Sequence, residues 1–312
     1  IVEEAAGISL TRNAVGTVSL TKENLAEMAS VKELNISEKG LTDLSALKYF
    51  TGLQTLNCSG NLLTTLDVSA LTNLTSLNCY RNELTTLDVS KQTNLTSLDC
   101  SFNSLTTLDV SALTNLTSLD CYRNELTELD VSKQTGLKEL DCAYNQLKEL
   151  DVSNLTGLTK LDCSDNQLTA LDVSNLTGLT HLYCSGNQLT AVNVSALKSL
   201  EYFSCAENQL KALDVSKQTG LKELDCADSQ LPALDLNGLT ALENLDCSEN
   251  RMSSLDISEF LYLYSVKCGK QTADGVMSRT LTLTLTAAQK DGGVFNASSK
   301  YNVDVNLNVV GQ

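Results

Sequence analysis

The sequence predicts a β-rich solenoid, with parallel strands stacked one per coil, a helical cap at the N-terminal end and a β-strand cap at the C-terminal end. Three observations carry this fold class. The first is spacing: from Cys58 through Cys79, Cys100, Cys121, Cys142, Cys163, Cys184, Cys205, Cys226 and Cys247 to Cys268, neighbouring cysteines are always 21 residues apart. The second is the frame around them, L-x-x-L-x-C-x-x-N-x-L-x-x-L-D-V-S, as in "LTSLDCSFNSLTTLDVSALTN" from Leu95 and "LKELDCAYNQLKELDVSNLTG" from Leu137. The third is alternation. In "LTSLDC" Asp120 separates Leu119 from Cys121, so an extended chain puts Leu and Cys on one face and Asp on the other. No single coil can bury such a face, whereas stacked coils bury it continuously.

The elements follow in chain order. "TKENLAEMA" (Thr21–Ala29) reads as a short helix with Thr21 as N-cap and acidic Glu23 in its first turn. "VKELNISEKGLTDLSALKYFTG" from Val31 is an incomplete first unit, 22 residues long, with Ile36 in the cysteine's place. Each later coil contains near-copies "LxxLDC" and "LxxLDV", so a second extended segment, such as Leu129-Asp130-Val131, is expected in every coil. Asn61, Asn82, Asn103, Asn124, Asn145, Asn166, Asn187, Asn208 and Asn250 follow the first strand, where a buried amide can donate and accept along the stack. Ser229 interrupts this row just before Leu231-Pro232, which predicts a local irregularity, and Gln271 ends it. Beyond Cys268 the leucine pattern stops. "RTLTLTLT" (Arg279–Thr286) and "YNVDVNLNVV" (Tyr301–Val310) alternate strictly and predict two strands joined through "KDGGVFNASS". The expected organisation is a cap over residues 1–30, the solenoid over 31–271 and a β cap over 272–312.

The L-x-x-L-x-C-x-x-N unit, repeated about ten times from Val31 to about Gln271, resembles the leucine-rich-repeat family in its short, bacterial, internalin-like form. The resemblance implies a right-handed superhelix whose strands line a concave face. It implies non-enzymatic recognition of a protein ligand on that face, by a molecule secreted from, or held on, a bacterial cell. A glycan-binding module and a passive spacer or adhesin stalk are the alternative roles. The opening "IVEEAAGISL" has neither a basic region nor a long apolar run, so location rests on the resemblance.

Composition narrows the partners. A formal net charge of −16 opposes nucleic acid and anionic membrane surfaces, and no apolar run reaches the ~18 residues of a membrane span. Neither a metal site nor a cofactor is expected. The thiols form a line rather than a cluster, none is paired with His, and in-register strands point their Cβ atoms the same way, against disulfide geometry. They read as small apolar core residues. Two rows of carboxylates run beside them: Asp67, Asp88, Asp109, Asp130, Asp151, Asp172, Asp214, Asp235 and Asp256, with Asn193 interrupting, and Asp99, Asp120, Asp141, Asp162, Asp225 and Asp246. Local turn bonding within "DVS" and calcium coordination are both open readings. No catalytic constellation is legible: G-x-S-x-G is absent and His181 is the one histidine.

The outward variable positions remain. Most are Ser, Thr, Ala or acidic. The exceptions are Tyr80, Arg81, Phe102, Tyr122, Arg123 and Tyr144, from four consecutive coils at two neighbouring positions, and a second group of His181, Tyr183 and Tyr202. Tyr and Arg dominate binding hot spots, and Arg over an aromatic ring is favourable. "CYRNELTTLDVSKQTN" and "CYRNELTELDVSKQTG" are nearly identical 42 residues apart, so two readings stand: a binding patch, or decoration copied with a two-coil duplication.

Overall fold

A computed structural model describes residues 6–7, 20–258, 260, 263, 265–269, 271–273, 276–277, 281–286 and 305–310. The chain divides into two compact units, Ile1–Leu147 and Lys148–Gln312. In the first, helix α1 (Lys22–Ser30) starts at Thr21, whose hydroxyl accepts from the Asn24 N–H while the Asn24 side chain accepts from the Thr21 N–H. Six strands follow: β1 (Glu33–Asn35), β2 (Thr55–Asn57), β3 (Ser76–Asn78), β4 (Ser97–Asp99), β5 (Ser118–Asp120) and β6 (Glu139–Asp141). Each pairs in parallel with the next, so Leu34, Leu56, Leu77, Leu98, Leu119 and Leu140 form one row.

The second unit repeats the plan with β7 (Lys160–Asp162), β8 (His181–Tyr183), β9 (Tyr202–Ser204), β10 (Glu223–Asp225) and β11 (Asn244–Asp246). β12 (Ser254–Asp256) lies outside this stack, which continues from β11 to β13 (Ser265–Lys267). β14 (Thr272–Ala273) and β15 (Val276–Met277) pair antiparallel. β16 (Leu281–Thr286) pairs in parallel with both β12 and β17 (Val305–Val310). The two C-terminal strands are thus neighbours, as the alternation predicts, and they run the same way; the segment "KDGGVFNASS" lies outside the described residues.

The middle residue of each solenoid strand and the cysteine two positions later are buried, together with the Val of each "LDVS". The second extended segment differs from expectation. Leu129 and Val131 are buried and Asp130 is exposed, so the apolar alternation holds, yet no strand forms there. Asp130 instead closes a turn, its Oδ1 accepting from the Ser132 N–H at 2.9 Å. Among the described residues only Ser254–Asp256, at the same point of its coil, becomes a strand, because β16 offers it a ladder.

Turning the corner after most strands falls to asparagine. Asn124 Nδ2 donates to the carbonyls of Cys100 and Cys121, both at 3.1 Å, while its Oδ1 accepts from the Leu105 N–H at 3.0 Å. The same set recurs at Asn82, Asn103, Asn145, Asn187 and Asn208. Gln271 takes the part in the last rung: its Oε1 accepts from the Met252 N–H at 2.8 Å and its Nε2 donates to the Cys247 carbonyl at 3.0 Å. The irregularity at Ser229 is one missing rung. Its hydroxyl is buried without a hydrogen bond, while the strands on either side keep their register.

Candidate functional site

The residue two places after each cysteine from Cys58 to Cys247 sits in a turn with left-handed backbone, Asp165, Glu207, Asp228 and Glu249 among them. Gly60 and Gly186 fill it in two coils; Arg81 (φ 53°), Phe102 (φ 51°), Arg123 (φ 53°) and Tyr144 (φ 52°) fill it in four consecutive ones. A non-glycine residue there costs about 1–2 kcal/mol. The residue before it, Tyr80 or Tyr122, is pinned by an Asx turn: the Tyr80 N–H donates to Asn78 Oδ1 and the Tyr122 N–H to Asp120 Oδ1, both at 3.0 Å. The aromatic residues therefore alternate between two turn positions from coil to coil.

That alternation lets the rings meet. Centroids lie 5.2 Å apart for Tyr80–Phe102, 5.1 Å for Phe102–Tyr122 and 5.3 Å for Tyr122–Tyr144. Interplanar angles of 82°, 55° and 70° make the contacts edge-on or tilted. The Arg123 guanidinium carbon stands 5.1 Å from the Phe102 centroid. Arg81 is exposed in the equivalent turn. Tyr144, at 49% exposure, is among the most exposed large hydrophobic residues described. All six predicted residues of the first group thus fall on one strip, and five of them touch within it.

In the second unit, His181 and Tyr202 are register partners on β8 and β9. Their rings stack at 4.5 Å and 14°. Tyr183 lies 6.3 Å from His181, and His181 Nδ1 is 2.8 Å from the Thr180 hydroxyl. Burial, then the charges of Glu223 and Asp162, push the Tyr183 hydroxyl above its usual range. Sequence reasoning omitted the next strand, where Glu223 pairs in register with Tyr202 and Asp225 with Ser204. Asp225 belongs to the second carboxylate row, whereas Glu223 carries no signal in the sequence.

Those rows have a local explanation. Asp99, Asp120, Asp141, Asp162, Asp225 and Asp246 each accept from a backbone N–H two residues on, as Asp67, Asp88, Asp109 and Asp130 do in the other row. Asn193 does the same for Ser195, so the turn needs the acceptor rather than the charge. The cysteines are buried and free. Burial pushes the Cys58 and Cys184 thiols up to about 12, and Cys121 Sγ, 3.5 Å from the Asp141 carbonyl, is also raised by burial. A protonated, enclosed thiol is neither a nucleophile nor a metal ligand.

Parallel one-strand coils, an asparagine ladder and an inward leucine–cysteine row define a leucine-rich-repeat solenoid, the scaffold of protein-interaction modules. Comparison with known proteins agrees. Leucine-rich-repeat family models match residues 52–74, 93–133 and 135–176. The functional domain of InlJ from Listeria monocytogenes, which includes a cysteine ladder, is 34% identical, with a TM-score of 0.69 over 84% of this chain and 70% of that one. A leucine-rich-repeat protein of Leptospira interrogans is 26% identical, with a TM-score of 0.72 over 85% and 80%. The plant peptide hormone receptor RGFR1 in complex with RGF2 shares the fold at 21% identity, with a TM-score of 0.69 over 93% and 52%. A search of curated protein sequences finds no match. The chain belongs to the leucine-rich-repeat family and is internalin-like.

Proposed function

We propose that the chain is a non-enzymatic recognition protein. It binds a protein ligand through the concave face of its repeat array, secreted from or held on a bacterial cell, with residues 1–30 and 272–312 covering the ends of the array. The observation that carries this is the continuous ring strip Tyr80–Phe102–Tyr122–Tyr144 with Arg123 over Phe102. Rings that pack on one another are already ordered, so little side-chain entropy is lost when a partner covers them.

The geometry favours protein over glycan. A sugar platform needs a broad exposed ring face, whereas these rings present edges to one another at 55° to 82°. A passive stalk has no need of the strip at all. Protein and glycan arrays probed with the native chain and with a Tyr80→Ala/Tyr122→Ala/Arg123→Ala variant separate the three. We expect a protein spot bound by the native chain and weakened about a hundredfold in the variant. Binding to glycans alone would favour the lectin reading over this one, and no binding by either form would overturn it in favour of the stalk.

A further inference from the structure

The second unit carries a different chemistry on its strand face. Register aligns His181, Tyr202, Glu223, Asn244 and Ser265 in one row, and Tyr183, Ser204, Asp225, Asp246 and Lys267 in the next. Going along the array, an aromatic wall gives way to carboxylates. The carboxylate end is concave: a cleft of about 300 Å³ is lined by Glu223, Asp225, Asn244, Asp246, Ser265 and Lys267.

The charges in this cleft are unbalanced. Asp225 and Asp246 are direct neighbours across parallel strands, an arrangement that like charges disfavour. Lys267 Nζ lies 3.0 Å from Asp246 Oδ2 and offsets one of them. Asp225 is held in place instead, its Oδ2 accepting from the Ser204 hydroxyl at 3.3 Å and its Oδ1 from the Ala227 N–H at 3.2 Å. Glu223 is exposed at the mouth. Three carboxylates therefore face one ammonium group. Among the described residues no three His, Cys, Asp or Glu side chains converge as a metal ion requires; Glu223 and Asp225 stand two residues apart along β10, and Asp246 stands on the next strand, about 4.8 Å away. That spacing suits organic cations carried on a chain. The stacked His181 covers one face of the Tyr202 ring, and the other lies on the side of Glu223, where a cation can sit over it.

We propose that the strand face from β8 to β13 binds an extended basic peptide, its arginine or lysine side chains seated between the Tyr202 ring and the Glu223 and Asp225 carboxylates. Lys267 closes the far end of the cleft and selects against a cation there. This site is separate from the Tyr80–Tyr144 strip, so its failure would leave the reading of that strip untouched.

The test uses a fluorescent peptide of alternating Arg and Ser, followed by anisotropy at about 0.15 M salt. A chain of net charge −16 attracts any polycation, so the comparison is between two variants that remove the same charge. Glu223→Gln/Asp225→Asn changes the cleft. Asp109→Asn/Asp130→Asn changes the other row, where Asn193 shows that the amide keeps the turn; Asn57 and Asn78 show the same for the row of Asp225. Both variants are therefore expected to melt as the native chain does. We expect the cleft variant to raise Kd about tenfold and the control less than about twofold. Tyr202→Leu is expected to raise Kd about threefold. Equal losses in the two charge variants, or no binding by the native chain, would overturn the proposal, and an unchanged Kd for Tyr202→Leu would remove the ring from it.

Discussion

Gln134 occupies the position that Leu113 and Leu155 hold in the coils before and after it. It is fully buried. Its Nε2 donates to the Val110 carbonyl at 2.8 Å, but its Oε1 has no partner, and Gln92 and Gln218 repeat both features. The Val110 carbonyl already accepts from the Leu113 N–H, so Gln134→Leu strands nothing and removes a buried orphan acceptor. It should stabilise the chain by about 1 kcal/mol, read as a higher Tm with an unchanged denaturant slope; a lower Tm would mean that the Oε1 atom is satisfied after all. In the sequence "SKQTG" reads as a polar loop, and its burial is legible only by aligning it with the "SALTN" of neighbouring coils. Phe102 shows the same limit from the other side. Its identity marks it as unusual, but its left-handed backbone is visible only in the structure.

Among the elements, the asparagine ladder holds the turn that every strand needs. Removing Asn124 orphans the Leu105 N–H and takes donors from two cysteine carbonyls, so Asn124→Ala should cost on the order of 3 kcal/mol. The reverse change is the sharper test. Ser229→Asn restores the missing rung and should raise stability by about 1–2 kcal/mol, measured by urea denaturation; no gain would show that the turn is satisfied without the amide. This ladder was legible in the sequence because one residue recurs at one coil position. The second half-repeat misled for a related reason. Alternation reports which side chains are buried, but a strand also needs a backbone partner, and among the described half-repeats only β12 has one.

For the whole molecule, the buried thiols set the response to alkali. Unfolded thiols ionise near pH 8.5, whereas burial holds Cys58 and Cys184 up to about 12 and Cys268 up to about 11. Folded pKa values above the unfolded one contribute stability that is complete below about pH 8.5 and lost as pH rises towards the folded values. Carboxylates act at the other end. A side-chain hydrogen bond from the serine two residues on is the main reason Asp67, Asp88, Asp109, Asp130 and Asp172 lie below their usual range. Their contribution is present above about pH 3.9 and lost below it. Asp162 and Asp225, raised by burial, act on the other side of that value: their cost is present at higher pH and is relieved as pH falls towards about 3.9. Tm should therefore be level between about pH 4 and 8.5 and fall on both sides, steeply in alkali. Thiol-directed reagents should label the chain only as it unfolds; a Tm that stays flat through pH 10, or rapid labelling of the native chain, would contradict the buried thiol row.

By itself the sequence determined the coil: its length, the inward leucine–cysteine row, the asparagine turn and the capped first helix. Each of these is local, or repeats at a fixed spacing, so side-chain chemistry and periodicity suffice to read it. The tertiary structure decided which outward residues meet. Tyr80 reaches Phe102 although they occupy different turn positions, Tyr202 stands beside Glu223, and the carboxylates of β10 and β11 share a cleft with Lys267. These contacts join residues about one coil apart, and they depend on strand register and side-chain direction, which no single coil specifies.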